Sequence, residues 1–201
     1  MELKQWLRQN GAWLFGTALD AYRPGYIFRK VHPLFGASRF DYVDTAWNRL
    51  GTSKDAFGSV DASAMIPTGT WSQSFESEVD VTLAQLGLTI GAGASSIRSV
   101  SLVADGLRAV TIDDALFTPI SLVTSLRPAF ADESGRFFVA HTLFYADRFQ
   151  VTFEVNGGAS ADATLTNLQA SAGGGVTWHG GSTVSYGGPN VPFAFVGLPV
   201  K

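Results

Sequence analysis

The side chains able to do chemistry are few and scattered. The three histidines, His32, His141 and His179, are widely spaced and form no H-E-x-x-H or facial-triad pattern, so the ordinary expectation for each is a structural or surface role. Asp113-Asp114 is a carboxylate pair, but adjacent residues seldom converge on one substrate atom. A place near a helix N-terminus suits them better. Glu76, Glu78 and Asp80 share one face of an alternating stretch and could meet a cation. With no second ligand cluster, a solvated face is the plainer reading. Gly91-Ala92-Gly93 and Gly173-Gly174-Gly175 lack the lysine and helix start of a phosphate loop. No nucleophile elbow is present. With no Cys in the chain, disulfides, thiolate metal sites and cysteine nucleophiles are excluded. The expectation is a protein that is not an enzyme, with no catalytic residue, no metal and no cofactor.

What remains is a chain of 201 residues, 46% hydrophobic and 15% charged, long enough for one domain and too apolar for a disordered one. Its 22 glycines and 15 phenylalanines fit many strands and tight turns. Net charge is -3, unevenly spread. Residues 1–54 carry eight basic side chains against four acids, and the rest carries six against thirteen. A basic, aromatic-rich front can lie on an anionic surface or can simply be solvated. The opening Met1–Asn10 carries charges where the apolar core of a signal peptide would be, and no apolar run reaches the ~18 residues of a membrane helix. Strands that enter a bilayer leave no such run.

Residues 3–15 predict a short helix with Leu3, Trp6, Leu7 and Leu14 on one rough face. The stretch 22–57 is irregular, with a short helix around 41–50 closed by Gly51. Phe75–Leu83 alternates, and Leu86–Ile90 alternates in the other register. Ile97–Ile112 predicts one or two strands with Gly106 as a turn or bulge. A helix follows over 113–128, begun or bent by Pro119. Arg136–Val155 is the longest strand signal, with Phe149, Val151, Phe153 and Val155 on one side and Gln150, Thr152 and Glu154 on the other. Thr164–Leu168 and Val176–Trp178 are weaker strands, and Val191–Val196 closes the chain. The fold class is α+β, a mainly antiparallel twisted sheet with N-terminal and crossover helices. In segments, this gives a helical and irregular front (1–57), a first β-hairpin segment (68–112), a crossover helix (113–128), a second hairpin segment (136–178) and a closing strand (182–201). Trp71–Ile112 and Arg136–Trp178 are rich in Gly, Ala, Ser and Thr, and each is long enough for two strands of roughly 15–20 residues. Such segments can fold back as a soluble sheet, the commoner outcome, or can face water in one state and lipid in another.

Four stretches carry a resemblance to a known family. Ser182–Phe195, with Tyr186 and Gly187 before Pro192-Phe193-Ala194-Phe195, resembles the close of the bacterial gasdermin pore-forming domain. Arg136–Thr142 is similar to that family's strand after the crossover helix, Asn48-Arg49-Leu50-Gly51 to its Arg-Leu-Gly, and Leu86–Gly93 to its glycine-rich first finger. The order and spacing of these stretches carry the likeness over residues 45–198. It implies a single pore-forming domain that is a cytoplasmic monomer and assembles with itself in the inner, anionic membrane. The family's role is cell death in bacterial antiphage defence, after an activating protease removes a C-terminal inhibitory peptide. This chain ends at Lys201, where such a peptide is expected to follow. It also has no Cys to lipidate, so lipid contact is expected from Lys4, Trp6, Arg8, Trp13, Phe15, Arg29 and Lys30. Val81, Leu83, Leu88, Ile90, Val151 and Phe153 are the expected lipid-facing hairpin positions. No nucleic-acid partner is expected. The alternative is a soluble β-rich binding or structural module without membrane activity.

Overall fold

The computed structural model describes residues 3–14, 22–32, 39–63, 66, 71–75, 97–155, 176–179, 183–186 and 192–201. Along the chain run helix α1 (Leu3–Gln9), strands β1 (Ala12–Leu14), β2 (Tyr26–Val31) and β3 (Arg39–Thr45), helix α2 (Ala46–Arg49), strands β4 (Ser59–Asp61), β5 (Trp71–Phe75) and β6 (Ile97–Ile112), helix α3 (Pro119–Leu126), and strands β7 (Arg136–Val155), β8 (Val176–His179), β9 (Thr183–Tyr186) and β10 (Pro192–Pro199). The class is α+β with an antiparallel sheet, as the pattern predicts. Glu76, Glu78, Asp80, the 86–90 stretch, the 91–96 glycine run, 164–168 and 173–175 lie outside the described residues.

Strand β7, 20 residues long, is the spine of the sheet. One of its edges pairs with β6, from Ile97↔Val155 to Thr111↔Thr142, and then with β2, from Ile27↔Val139 to Lys30↔Arg136. Its other edge pairs with β10 over Phe138–Tyr145 and with β9 over Phe149–Thr152. β3 extends the sheet beyond β2 and β1 beyond β10, while β4 and β5 flank β6.

The side-chain alternation of β7 changes phase twice. Phe137 and Val139 enter the cluster under α3, while Phe138 and Ala140 enter an aromatic cluster on the opposite face. The pairing with β10 then skips His141, one extra residue that shifts the phase as a β-bulge does. Beyond it Leu143 and Tyr145 join the aromatic cluster, while Phe144 and Ala146 face α1. At Asp147 the phase shifts again, so that Phe149, Val151 and Phe153 also face α1. Strand β6 changes phase at the opposite residue, Gly106. Val100, Leu102 and Ala104 point inward before it, and Leu107 and Ala109 after it. Gly106 has φ +64°, yet the ladder runs through it without a register shift, from Asp105↔Arg148 to Leu107↔Ala146. The glycine therefore creases one continuous strand and does not divide two.

Helix α3 begins where Thr118 accepts a hydrogen bond from the Ser121 N–H at 3.2 Å, with Pro119 in the first turn. It buries Leu122 and Leu126 and gives way at Arg127-Pro128 to a 3-10 turn ending at Phe130. The expected helix over 113–128 is thus shorter. Asp113 turns the chain ahead of it, its carboxylate accepting from the Ala115 N–H at 2.9 Å, so the Asp113-Asp114 pair is not at the helix start. The expected helix over 41–50 is mostly strand, because Phe40 and Tyr42 pack as the outer pair of a β2–β3 hairpin. Only Ala46–Arg49 is helical, capped by Thr45 and ended by Gly51 at φ +65°. Within the stretch read as irregular, β2 and β3 are therefore paired antiparallel strands.

Candidate membrane-facing surface

Tyr26, Phe28, Phe40 and Tyr42 share one face of the β2–β3 pair, with Lys30 across from Phe40. From Trp13 the rings run in contact through Phe40 at 5.4 Å, Phe195 at 5.0 Å, Phe28 at 5.1 Å and Tyr22 at 4.9 Å. They continue through Tyr26 at 5.6 Å and Trp47 at 5.4 Å. β1 and β3 are the two outer strands of the order β1-β10-β7-β2-β3, so contact between Trp13 and Phe40 means that the sheet curls around this cluster. Phe28 and Phe195 are fully buried inside the curl, while Trp13 and Tyr42 remain 38% and 46% exposed at its rim. Burial raises the Tyr42 phenol pKa, and the nearby Tyr26 and Asp44 add to it, so the ring stays a neutral donor with a polar tip.

Cations stand at the same rim. Lys30 places its Nζ 4.2 Å from the Trp13 centroid and 5.9 Å from that of Phe40. Directly across the ladder from the half-buried Lys30 is Arg136, exposed on its strand. Two like charges opposite each other are unfavourable in isolation and are relieved by a shared anion. An exposed indole beside paired cations matches the side-chain chemistry of a membrane–water interface.

Of the residues expected to touch lipid, the fold brings Trp13 and Lys30 together. Arg29 points to the opposite face of β2, across from Asp41, with its stem beside Gly135. Arg8 is exposed on α1, but Trp6 on the same helix is 4% exposed and packs edge-on against Phe144 at 4.8 Å. The Lys4 side chain and Phe15 lie outside the described residues. Among the hairpin positions, Val151 and Phe153 are buried in the cluster under α1, while Val81, Leu83, Leu88 and Ile90 lie outside the described residues. Sequence reasoning missed Arg136, Tyr42 and Tyr26. The two tyrosines had one local signal, the aromatic repeat at every second position, Tyr26/Phe28 and Phe40/Tyr42, and Arg136 had none.

His141 has a structural setting. From the bulge in β7 its Nδ1 lies 3.2 Å from both Thr111 Oγ1 and Thr142 Oγ1, and its Nε2 lies 3.2 Å from Asp114 Oδ1. Thr111 Oγ1 also donates to the His141 carbonyl at 3.3 Å, so this hydroxyl ties the ladder together. The cluster fastens the turn before α3 to the sheet. Among the described residues no helix is long and apolar enough to cross a membrane, which says nothing of strands.

No family model matches the chain, and no curated protein matches it in sequence. Among solved structures it is similar to a bacterial gasdermin from Bradyrhizobium tropiciagri. The identity is 14% and the TM-score 0.46, over 94% of this chain and 82% of that one.

Proposed function

We propose that this chain is a gasdermin-like pore former, a monomer that attaches to an anionic bilayer and assembles there through insertion of β-hairpins. The observation that carries this reading is the β6–β7 pair. Its strands of 16 and 20 residues exceed the ~9–11 tilted residues that span a bilayer. Beyond the Gly106 crease one face is wholly apolar, with Val100, Leu102 and Ala104 beside Phe149, Val151 and Phe153. Thr152 and Glu154 on the other face are exposed. In the monomer the apolar stripe lies under α1; in a bilayer the same stripe would meet lipid. The rim of Trp13, Tyr42, Lys30 and Arg136 supplies first contact with the headgroups.

The family resemblance extends the proposal to cell death in bacterial antiphage defence, with a cytoplasmic monomer, an activating protease and the inner membrane as the site of action. The test is release of a trapped dye from liposomes containing anionic lipid, over a range of protein concentrations. Steep, concentration-dependent release is expected from the active form. Silence from the chain, also after its last residues are deleted, together with no lipid binding, would overturn the proposal. That result would favour a soluble β-rich binding module, a reading supported by the complete burial of Val151 and Leu102 in this fold. Gel filtration with and without liposomes separates the two readings.

A further inference from the structure

Away from the rim, a cavity of about 230 Å³ opens between the Arg23-Pro24 turn and the segment from Lys54 to Ser59, with the Trp47 indole as one wall. Two cations, Arg23 and Lys54, line it. Both are exposed, and neither forms an ion pair among the described residues. Asp55 is the one acid in the lining, leaving a net positive charge, and Ser59 adds a hydroxyl.

The Arg23 wall is fixed in place. The Gly25 N–H donates to the Ala140 carbonyl at 2.7 Å and its own carbonyl accepts from the Ala46 N–H at 2.7 Å, which pins the Arg23 turn between β7 and α2. Gly25 has φ +94°, and a Cβ there would lie 3.0 Å from Trp47 Cζ3. On the far side, a Cβ on Gly58 would lie 2.8 Å from Leu116 Cδ1. Gly25 needs glycine for its positive φ, and Leu116, 53% exposed, is a movable neighbour of Gly58, so it is the Arg23 side of the cavity that is presented from fixed backbone.

We propose that this cavity binds a phosphate monoester, with Arg23 and Lys54 holding the dianion and Ser59 donating to it. Arg23 offers a planar fork and Lys54 a point charge, the pairing that phosphate sites use. The volume takes a phosphate together with part of the group that carries it, which can rest on the Trp47 ring. Free phosphate esters and lipid headgroups both present this chemistry. The site does not depend on pore formation, which dye release reads separately.

The test uses the full chain and two probes. Inorganic phosphate is titrated by calorimetry. Vesicles of phosphatidylcholine are compared with phosphatidic acid, a monoester, or phosphatidylglycerol, a diester, at matched surface charge. Arg23→Gln and Lys54→Gln are each expected to weaken binding about tenfold or more, the loss of a charge-assisted hydrogen bond. Arg127→Gln, exposed at the end of α3 and outside the cavity lining, should leave binding unchanged. Circular dichroism checks each fold. Binding of free phosphate with this pattern supports the site with a soluble ligand. Binding of phosphatidic acid vesicles alone, with the same pattern, supports it with a lipid. Equal binding to phosphatidylglycerol, or equal loss in all three variants, would mean diffuse charge attraction and overturn the proposal. So would the absence of binding to both inorganic phosphate and phosphatidic acid.

Discussion

Replacing Gly106 by Ala tests the crease and, through it, the proposed insertion. The residue sits at φ +64°, where an L side chain costs about 1–2 kcal/mol. A Cβ there would also overlap the Asp147 carboxylate and lie 2.7 Å from Asp147 Cβ. The carboxylate can rotate away, but the Cβ cannot, so the backbone must give, at about 1–3 kcal/mol. The monomer should lose about 2–4 kcal/mol, measured by urea unfolding. At about 2–4 °C per kcal/mol for a chain of this size, Tm should fall by roughly 5–15 °C. Adding Asp147→Gly removes the overlap and leaves the backbone strain, so the double-mutant cycle should show a coupling of about 1–3 kcal/mol. In a straightened hairpin, residue 106 would take an ordinary extended conformation in the same ladder, which suits Ala. The variant should then release dye at lower protein concentration than the parent, although it is the less stable monomer. A Gly106→Ala chain within about 0.5 kcal/mol of the parent would refute the crease argument. A destabilised variant with unchanged dye release would keep the crease and refute its role in insertion.

Three further outcomes are expected. Burial pushes the Asp44 carboxyl pKa up, but hydrogen bonds from Asn48, the Thr45 N–H and Arg49 outweigh it and hold it below the usual carboxylate range. Its contribution to stability is therefore full above pH about 4 and is lost as pH falls below that, and Asp44→Asn should flatten this part of the stability–pH curve. Lys201 Nζ donates to the carbonyls of Phe130, Ala131 and Glu133 at 3.0, 2.7 and 2.7 Å, so Lys201→Met should cost about 1 kcal/mol and speed amide exchange over residues 127–133. Lys30→Glu reverses a charge worth about 1 kcal/mol at an anionic surface, so co-sedimentation with anionic liposomes should weaken roughly 30-fold, with Arg136→Glu similar and Arg29→Glu, on the opposite face, much weaker in effect.

The parts of the fold legible in the sequence are those whose signal is local. β7 shows itself because Phe149, Val151 and Phe153 alternate with Thr152 and Glu154, and only one of its faces is buried there. Pro119 after Thr118 marks the start of α3, and Gly51 the end of α2, because each meets a backbone requirement that few other residues meet. The β2–β3 hairpin was hidden for the opposite reason. Its two faces carry Tyr26, Phe28, Phe40 and Tyr42 on one side and Ile27 and Val43 on the other, so a polar–apolar alternation never forms, and Pro24 and Pro33 suggest breaks. Gly106 was visible as a glycine, but a crease within an unbroken ladder depends on Asp147, 41 positions away in the chain. The rim and the cavity have no local signature. Trp13 meets Lys30, and Arg23 lines one cavity with Lys54, because the sheet curls and the Gly25 turn is pinned to β7.

Helix α1 connects the two halves of the proposed function. Its stripe of Trp6 and Leu7 covers the β6–β7 cluster, while Arg8 on the same helix faces solvent. Withdrawing the two apolar side chains into water would cost about 3–6 kcal/mol, before counting the hairpin residues they uncover. That is enough to keep the helix closed in solution. At a bilayer the same side chains would move from one apolar surrounding to another, and the cost of exposure largely disappears. The burial of Trp6 in the monomer is therefore compatible with lipid contact later. Under the proposed function, release of the helix, and with it of Val151 and Phe153, would be conditional on the membrane being present.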